Sequence, residues 1–250
     1  MIYQNLAYFY DSFMSDAPYD LWVDFTKQIT KKVGKVNKII DLGCGTGEIS
    51  LRLAREGYQL IGVDLSHDML AVAQQKASQA QLQIHWVHQD IRALEGFNDI
   101  DMIVSYCDVI NYLTTAEDVR LVFKHVHKSL RKGGLFIFDI HSLYHVNNNL
   151  INHTFAYVDD KMSYIWHCSP GEEKGEMYHD LTFFIQDEDK QYTRYDEMHH
   201  QRTLSIEHYQ QLLKQTGFKI KNIYSDFSIE NKFSEVEAKR IFIIAEKRSD

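Results

Sequence analysis

Asp41, Gly43, Gly45 and Gly47 sit at spacing two in the run Ile39-Ile40-Asp41-Leu42-Gly43-Cys44-Gly45-Thr46-Gly47, and Val63-Asp64 closes a second short apolar run. The pattern reads as a buried strand, a glycine turn opening a helix, and an acid at the tip of the next strand. That is the architecture of a nucleoside site in an α/β sheet. The glycines let the chain turn tightly and leave no Cβ in the way of a ligand. Asp64, 23 residues beyond Asp41, stands where the second strand ends and can accept hydrogen bonds from both ribose hydroxyls. A dinucleotide loop has the form G-x-G-x-x-G and rests a pyrophosphate on N–H groups at a helix start. Here an acid stands two residues ahead of the first glycine. It would repel a pyrophosphate and suits an ammonium group.

The whole string strongly resembles motif I of the class I S-adenosylmethionine-dependent methyltransferases, whose loop backbone faces the amino-acid part of the cofactor while the acid helps hold its amine. The resemblance implies S-adenosylmethionine as cofactor. It assigns Asp41, Gly43, Cys44, Gly45 and Gly47 to the loop, with Cys44 a small filler, and Asp64 to the ribose. Leu65 and Met69 would sandwich the adenine ring. Gln89-Asp90-Ile91 follows the third strand candidate and Tyr106-Cys107-Asp108 the fourth. Asp90 would accept from the adenine amine and the Ile91 N–H would donate to a ring nitrogen; Asp90 taken alone is more often a loop cap, and motif I with Asp64 upstream reverses that preference. Cys107 completes the cofactor set. Near the N-terminus, Tyr3, Tyr8, Tyr10 and Asp11 either pack on the sheet or, as in similar methyltransferases, close over the methionine end. Tyr10-Asp11 best resembles that closing pair.

Methyl transfer asks little of side chains, because holding the nucleophile in line contributes most and a base is needed only for a protonated acceptor. Acceptor-side candidates lie where strands four and five end: Asp108, Asn111 and Tyr112 on one loop, Asp139, His141, Ser142 and Tyr144 on the other. In an open α/β sheet that edge faces the ligand crevice. His141 is the best base by side-chain chemistry and Asp108 its companion. His141 and His145 have i, i+4 spacing, and His167, His179, His199 and His200 follow, but no closed ligand set emerges, so no metal is expected.

These residues need a scaffold. Strand-like runs at 38–42, 59–63, 83–87, 101–105 and 135–140 alternate with helical patterns, which implies a parallel sheet with helices on both faces. Helices are expected from Ser66, over 115–130 with Thr115 as cap and Lys132-Gly133-Gly134 as stop, and from Ser205 to Gly217. Two more strands, 219–227 and 240–246, would pair as an antiparallel edge. The expected fold is a Rossmann-like, seven-stranded methyltransferase sheet with an antiparallel β insertion after strand five. Residues 1–35, with Leu21, Trp22, Phe25 and Ile29 at helical spacing, form a cap. Residues 36–144 and 204–250 form the cofactor-binding domain, and 145–203 the insertion. The insertion is aromatic and carries eleven Asp or Glu against five Lys or Arg, so most of the net charge of −8 resides there. It is either a small sheet packed on the core or a substrate lid.

At 250 residues and 44% hydrophobic content the chain can bury a sizeable core. Its acidity, the absence of a long basic run and of an Asn-Pro-Pro-Tyr motif argue against nucleic acid. Three distant cysteines offer no disulfide framework, and no apolar stretch or export signal points to a membrane. A soluble, cytoplasmic enzyme with a small-molecule acceptor is expected, with N- or O-methylation and oligomeric state left open. Two alternatives stand beside it: a non-catalytic S-adenosylmethionine-binding regulator, which would keep every cofactor residue, and a nicotinamide-dependent oxidoreductase, against which Asp41 speaks.

Overall fold

The computed structural model describes residues 10–248 apart from 12, 15, 188, 231, 232 and 235; Tyr3 and Tyr8 lie outside the described residues. The chain runs α1 (Tyr19–Val33), β1 (Lys38–Leu42), α2 (Glu48–Arg55), β2 (Gln59–Asp64), α3 (His67–Gln79), β3 (Ile84–His88), β4 (Ile100–Ser105), α4 (Ala116–Ser129) and β5 (Leu130–His141). Then come β6 (Thr154–Val158), β7 (Met162–Pro170), β8 (Glu176–Gln186), β9 (Tyr192–Arg202), α5 (Ile206–Gln215), β10 (Phe218–Ser225) and β11 (Arg240–Lys247). One sheet has seven strands in the order β10-β11-β5-β4-β1-β2-β3, and β6 to β9 form a separate four-stranded sheet. Strands β3, β2, β1, β4 and β5 are parallel, whereas β11 pairs antiparallel with both β5 and β10.

The strand sequences explain why both faces are covered. Ile39 and Ile40 are both buried, and with a period of two they point to opposite faces. Ile39, Met102, Val104, Ile137 and Phe242 meet Trp22, Phe25 and Ile29 of α1 on one side. Ile40, Ile103, Phe136, Phe138 and Ile243 meet α4 and α5 on the other. Helix starts follow their caps: the hydroxyls of Ser66, Thr115 and Ser205 accept from the N–H groups of Met69, Asp118 and His208.

Several boundaries differ from the sequence expectation for identifiable reasons. Lys132-Gly133-Gly134 does not precede β5 but lies inside it. Gly133 takes φ +69°, and a Cβ at Gly134 would stand 2.9 Å from the Arg131 carbonyl oxygen, so the glycines permit an irregularity opposite Ile100–Met102. β10 stops at Ser225 because Asp226 and Phe227 adopt φ of +47° and +66°, which no strand accommodates. Leu21, expected on the inner stripe of α1, faces outward; Val23 and Thr26 are buried instead.

The four-stranded sheet continues the chain from β5 through two short helical turns, Leu143–His145 and Val146–Leu150. Its ends lie side by side, since the Thr203 hydroxyl donates to the His141 carbonyl at 2.7 Å. A small apolar cluster of Val146, Leu150, Cys168 and Met177 anchors it.

Candidate active site

The glycine loop leaves β1 and is fastened to β2: the N–H groups of Gly43 and Cys44 donate to the Val63 carbonyl at 2.8 and 3.1 Å. Each glycine has its own reason. A Cβ at Gly47, φ +79°, would stand 2.7 Å from the Trp86 ring, so that glycine lets α2 seat against β3. At Gly45, φ +53°, a Cβ would meet nothing within 4 Å. The backbone there is open to a ligand, and its N–H donates to Asp64 Oδ2 at 2.8 Å. The other Asp64 oxygen accepts from the Ser66 N–H at 2.9 Å. Burial pushes the Asp64 carboxyl up against these bonds.

Asp41 lies beneath the loop, 2% exposed, and accepts from the Ser50 hydroxyl at 2.6 Å. Burial pushes its carboxyl up to about 6, and nearby Asp64 adds to the shift. A buried carboxylate without a cation is a costly arrangement that an incoming ammonium would relieve. Leu65, at the tip of β2, is 62% exposed beside half-buried Met69. Asp90 follows β3, and both its oxygens hold the Arg92 guanidinium at 2.6 to 3.1 Å while it caps the Arg92 N–H. An adenine amine would therefore share that carboxylate with Arg92. Ile91 is partly buried against the core. Cys44 and Cys107 are half-buried thiols that burial pushes well up, so neither is a nucleophile.

The N-terminal segment reaches across this cleft. Asp11 accepts from Thr46 of the glycine loop at 2.5 Å and pairs with Lys76 of α3 at 2.8 Å. Tyr10, whose hydroxyl burial pushes well up, has Tyr19, Cys107, Tyr112 and Asp108 as neighbours. The Phe13 ring packs at a tilt on that of Phe183 in β8, with centroids 4.1 Å apart. One short segment thus touches the loop and the insertion, with Tyr10 in electrostatic reach of the acceptor side.

At the ends of β4 and β5 the side chains converge further. Cys107 and Asp108 take φ of +56° and +55°, consecutive left-handed residues without a glycine. The turn lets the Asp108 N–H donate to Asp139 Oδ1 at 2.9 Å. Asp139 is fully buried and also accepts from Trp22 Nε1 at 2.6 Å and Arg240 Nη1 at 2.9 Å. Arg240 reaches Asp108 Oδ1 at 3.1 Å, Gln201 donates to Asp108 Oδ2 at 2.9 Å, and His141 Nε2 stands 3.5 Å from that same oxygen. Burial alone would push the Asp108 carboxyl up, but His141, Arg240 and Gln201 together hold it well below the usual carboxylate range.

The insertion enters through β9. Trp166 Nε1 donates to His179 Nδ1 at 3.0 Å, His179 Nε2 pairs with Gln201 Oε1 at 3.2 Å, and Gln201 passes the chain to Asp108. Burial lowers His179 to about 4, so the ring is neutral and its Nδ1 free to accept. Burial, with His141 nearby, lowers His145 equally to about 4. Ser142 is turned away, donating to the Ala238 carbonyl and capping the His145 N–H. Asn111 is structural in position, bonded to the His141 N–H and the Arg202 carbonyl. Among the described residues no group of three His, Cys, Asp or Glu side chains could hold a metal ion. No described helix is long and apolar enough to cross a membrane.

The sequence pattern thus names most of the residues in the cleft, but not Arg240 or Gln201. Their contacts to Asp108 span 132 and 93 positions, and no local signal marks them.

A doubly wound sheet with an antiparallel edge, a glycine loop after β1 and an acid ending β2 defines a protein with a nucleoside-cofactor site. Comparison with known proteins makes this specific. Residues 39–134 match the family model described as a methyltransferase domain. The chain is 40% identical over 249 residues to a protein of Geobacillus sp. (strain WCH70) that carries a provisional methyltransferase name, covering 99% of this chain and 100% of that one. It is 41% identical over 248 residues to YqeM of Bacillus subtilis (strain 168), also provisionally named a methyltransferase, covering 99% and 98%. A crystal structure of an S-adenosylmethionine-dependent methyltransferase from Clostridium acetobutylicum ATCC 824 superposes with TM-score 0.88 at 30% identity, covering all of both chains. The chain belongs to the S-adenosylmethionine-dependent methyltransferases, and S-adenosylmethionine is its cofactor.

Proposed function

We propose that this enzyme methylates a small molecule, at oxygen or nitrogen, in the cytoplasm. The observation that carries this reading is the meeting of the sheet edge with β9, where Gln201 lies 2.9 Å from Asp108. With β9 tied across the sheet edge at hydrogen-bonding distance, a compact acceptor is favoured over a polymer, and the acidity of the insertion disfavours nucleic acid.

S-adenosylmethionine supplies an electrophilic methyl group on a sulfonium. On this reading Asp41 takes its ammonium group, while Gly43, Cys44, Gly45 and Gly47 give backbone to its amino-acid part. Asp64 takes the ribose, and Leu65, Met69, Asp90 and Ile91 take the adenine. Tyr10 and Cys107 border the methionine end. His141 and Asp108 contact and orient the acceptor, so that the gain comes from alignment.

The test is a metabolite screen read by S-adenosylhomocysteine release, with Asp64→Ala as binding control. Hydrogen bonds to a charged group contribute roughly 1.5–3 kcal/mol, so that variant is expected to bind S-adenosylhomocysteine about ten- to a hundredfold more weakly by calorimetry. Release with no small molecule, but with protein or nucleic acid, would overturn the acceptor class. Unchanged affinity in a folded Asp64→Ala protein would overturn the site.

A further inference from the structure

A second group of titratable side chains stands at the same edge. Val109–Tyr112 forms one turn of 3₁₀ helix after β4. The Tyr112 hydroxyl lies 3.0 Å from His199 Nδ1, and His199 Nε2 lies 3.1 Å from Glu197 Oε2. A carboxylate only accepts, so Nε2 carries a hydrogen; in the neutral ring Nδ1 is then a lone-pair acceptor, and the phenol donates to it. The order Tyr112, His199, Glu197 is that of a proton path leading away from the cleft. Tyr112 keeps nearly half its surface open, 48%, while its hydroxyl end has Asp108 and Gln201 as neighbours. Tyr10 lies close to it as well.

The neighbouring pair is less suited to the task. Asp108 already accepts from Arg240 and Gln201 and stands 3.5 Å from His141, so both members of that pair are committed to each other and to their neighbours. Burial pushes the Tyr112 phenol up, with Asp108 adding to the shift, and this keeps the hydroxyl in its donor form. The groups that face the path are Glu197 on the same strand, Tyr112 and Asp108 from the β4 end, and His179 from β8.

We propose that Tyr112, backed by His199 and Glu197 as positioning residues, takes the proton of the acceptor, and that the acceptor arrives protonated, a hydroxyl group foremost. This rests on the small-molecule reading above. As the acceptor oxygen forms its bond to the methyl carbon, the carbon–sulfur bond breaks and its electron pair stays on sulfur. The acceptor proton passes to the Tyr112 oxygen while the Tyr112 proton passes to His199 Nδ1. The imidazolium is held by Glu197 and returns the proton to water after release.

The experiment compares the parent with Tyr112→Phe and His199→Gln, using small phenols and alcohols against tertiary amines and thioethers, which carry no proton to lose. Hydroxyl probes are expected to turn over, and both variants to lower kcat about a hundredfold near neutral pH. Affinity for S-adenosylhomocysteine should be kept, and the deficit should narrow as the pH rises toward the pKa of the probe. Turnover confined to proton-free nucleophiles, or hydroxyl turnover indifferent to His199→Gln, overturns the proposal. Histidine nitrogen NMR decides it without turnover. The parent should show His199 as the Nε2–H tautomer with an Nδ1 resonance that shifts in Tyr112→Phe. An Nδ1–H tautomer, or an Nδ1 resonance blind to Tyr112→Phe, overturns the path. Failure of the small-molecule reading would instead show as no turnover of any probe beside an intact His199 signature.

Discussion

Asp41 is the residue whose charge state links cofactor, pH and stability. Its folded-state carboxyl is pushed up to about 6 by burial, so the folded chain holds that proton more tightly than the unfolded chain does. Stability from this group is therefore present at acid pH and falls as pH rises through about 4 to 6, by roughly 3 kcal/mol in all. An ammonium ligand needs the ionised form, which reverses the sign for binding. S-adenosylhomocysteine affinity should weaken about tenfold on going from pH 7.5 to pH 5, and the weakening should vanish in Asp41→Asn. Calorimetry at pH 5 and 7.5 measures it, and a flat profile in the parent would remove Asp41 from the ammonium site.

The element that sets the acceptor edge is the turn after β4. Two consecutive left-handed residues, Cys107 and Asp108, cost about 1–2 kcal/mol each, and the bonds of Asp108 to Asp139, Arg240 and Gln201 hold them there. Strain of this kind at a cleft is typical of residues placed for chemistry rather than stability. Asn111 ties the same turn to two other elements. It is fully buried, accepts from the His141 N–H at 2.9 Å and donates to the Arg202 carbonyl at 3.0 Å. Asn111→Ala leaves both backbone groups unpaired at about 1–3 kcal/mol each. Urea denaturation should show a loss of roughly 2–6 kcal/mol; a loss under about 1 kcal/mol would mean other groups already satisfy them.

Across the whole molecule, the two large apolar clusters belong to the seven-stranded sheet and its helices, and neither includes a residue between 145 and 203. The insertion has its own small cluster, and its ends are joined by the Thr203–His141 bond at 2.7 Å. A short Gly-Ser linker can therefore replace 145–203 at modest closure cost. The shortened protein should fold, bind S-adenosylhomocysteine within about tenfold of the parent, and lose acceptor turnover along with Gln201 and His199. Some affinity should be lost because Phe13 no longer rests on Phe183. Parent-rate methylation by the shortened protein would mean that the insertion does not select the acceptor; unfolding would mean that its sheet is part of the core.

The sequence by itself determined the sheet, the glycine loop and the identity of the cofactor. Each is written in local spacing: apolar runs of strand length, Asp41 two residues before Gly43, Asp64 at the next strand end, and Ser or Thr caps before helices. It also marked off the acidic, aromatic segment as a different kind of structure. Boundaries such as those of β5 and β10 were decided by backbone geometry at Gly133, Asp226 and Phe227, which pattern alone does not encode. Only the tertiary structure decided which side chains share the acceptor edge. Arg240, Gln201 and His199 lie 132, 93 and 87 positions from the residues they meet, and such pairings are set by strand order and by the seating of the insertion. No periodicity carries them, because the forces that bring them together act through the packing of whole elements.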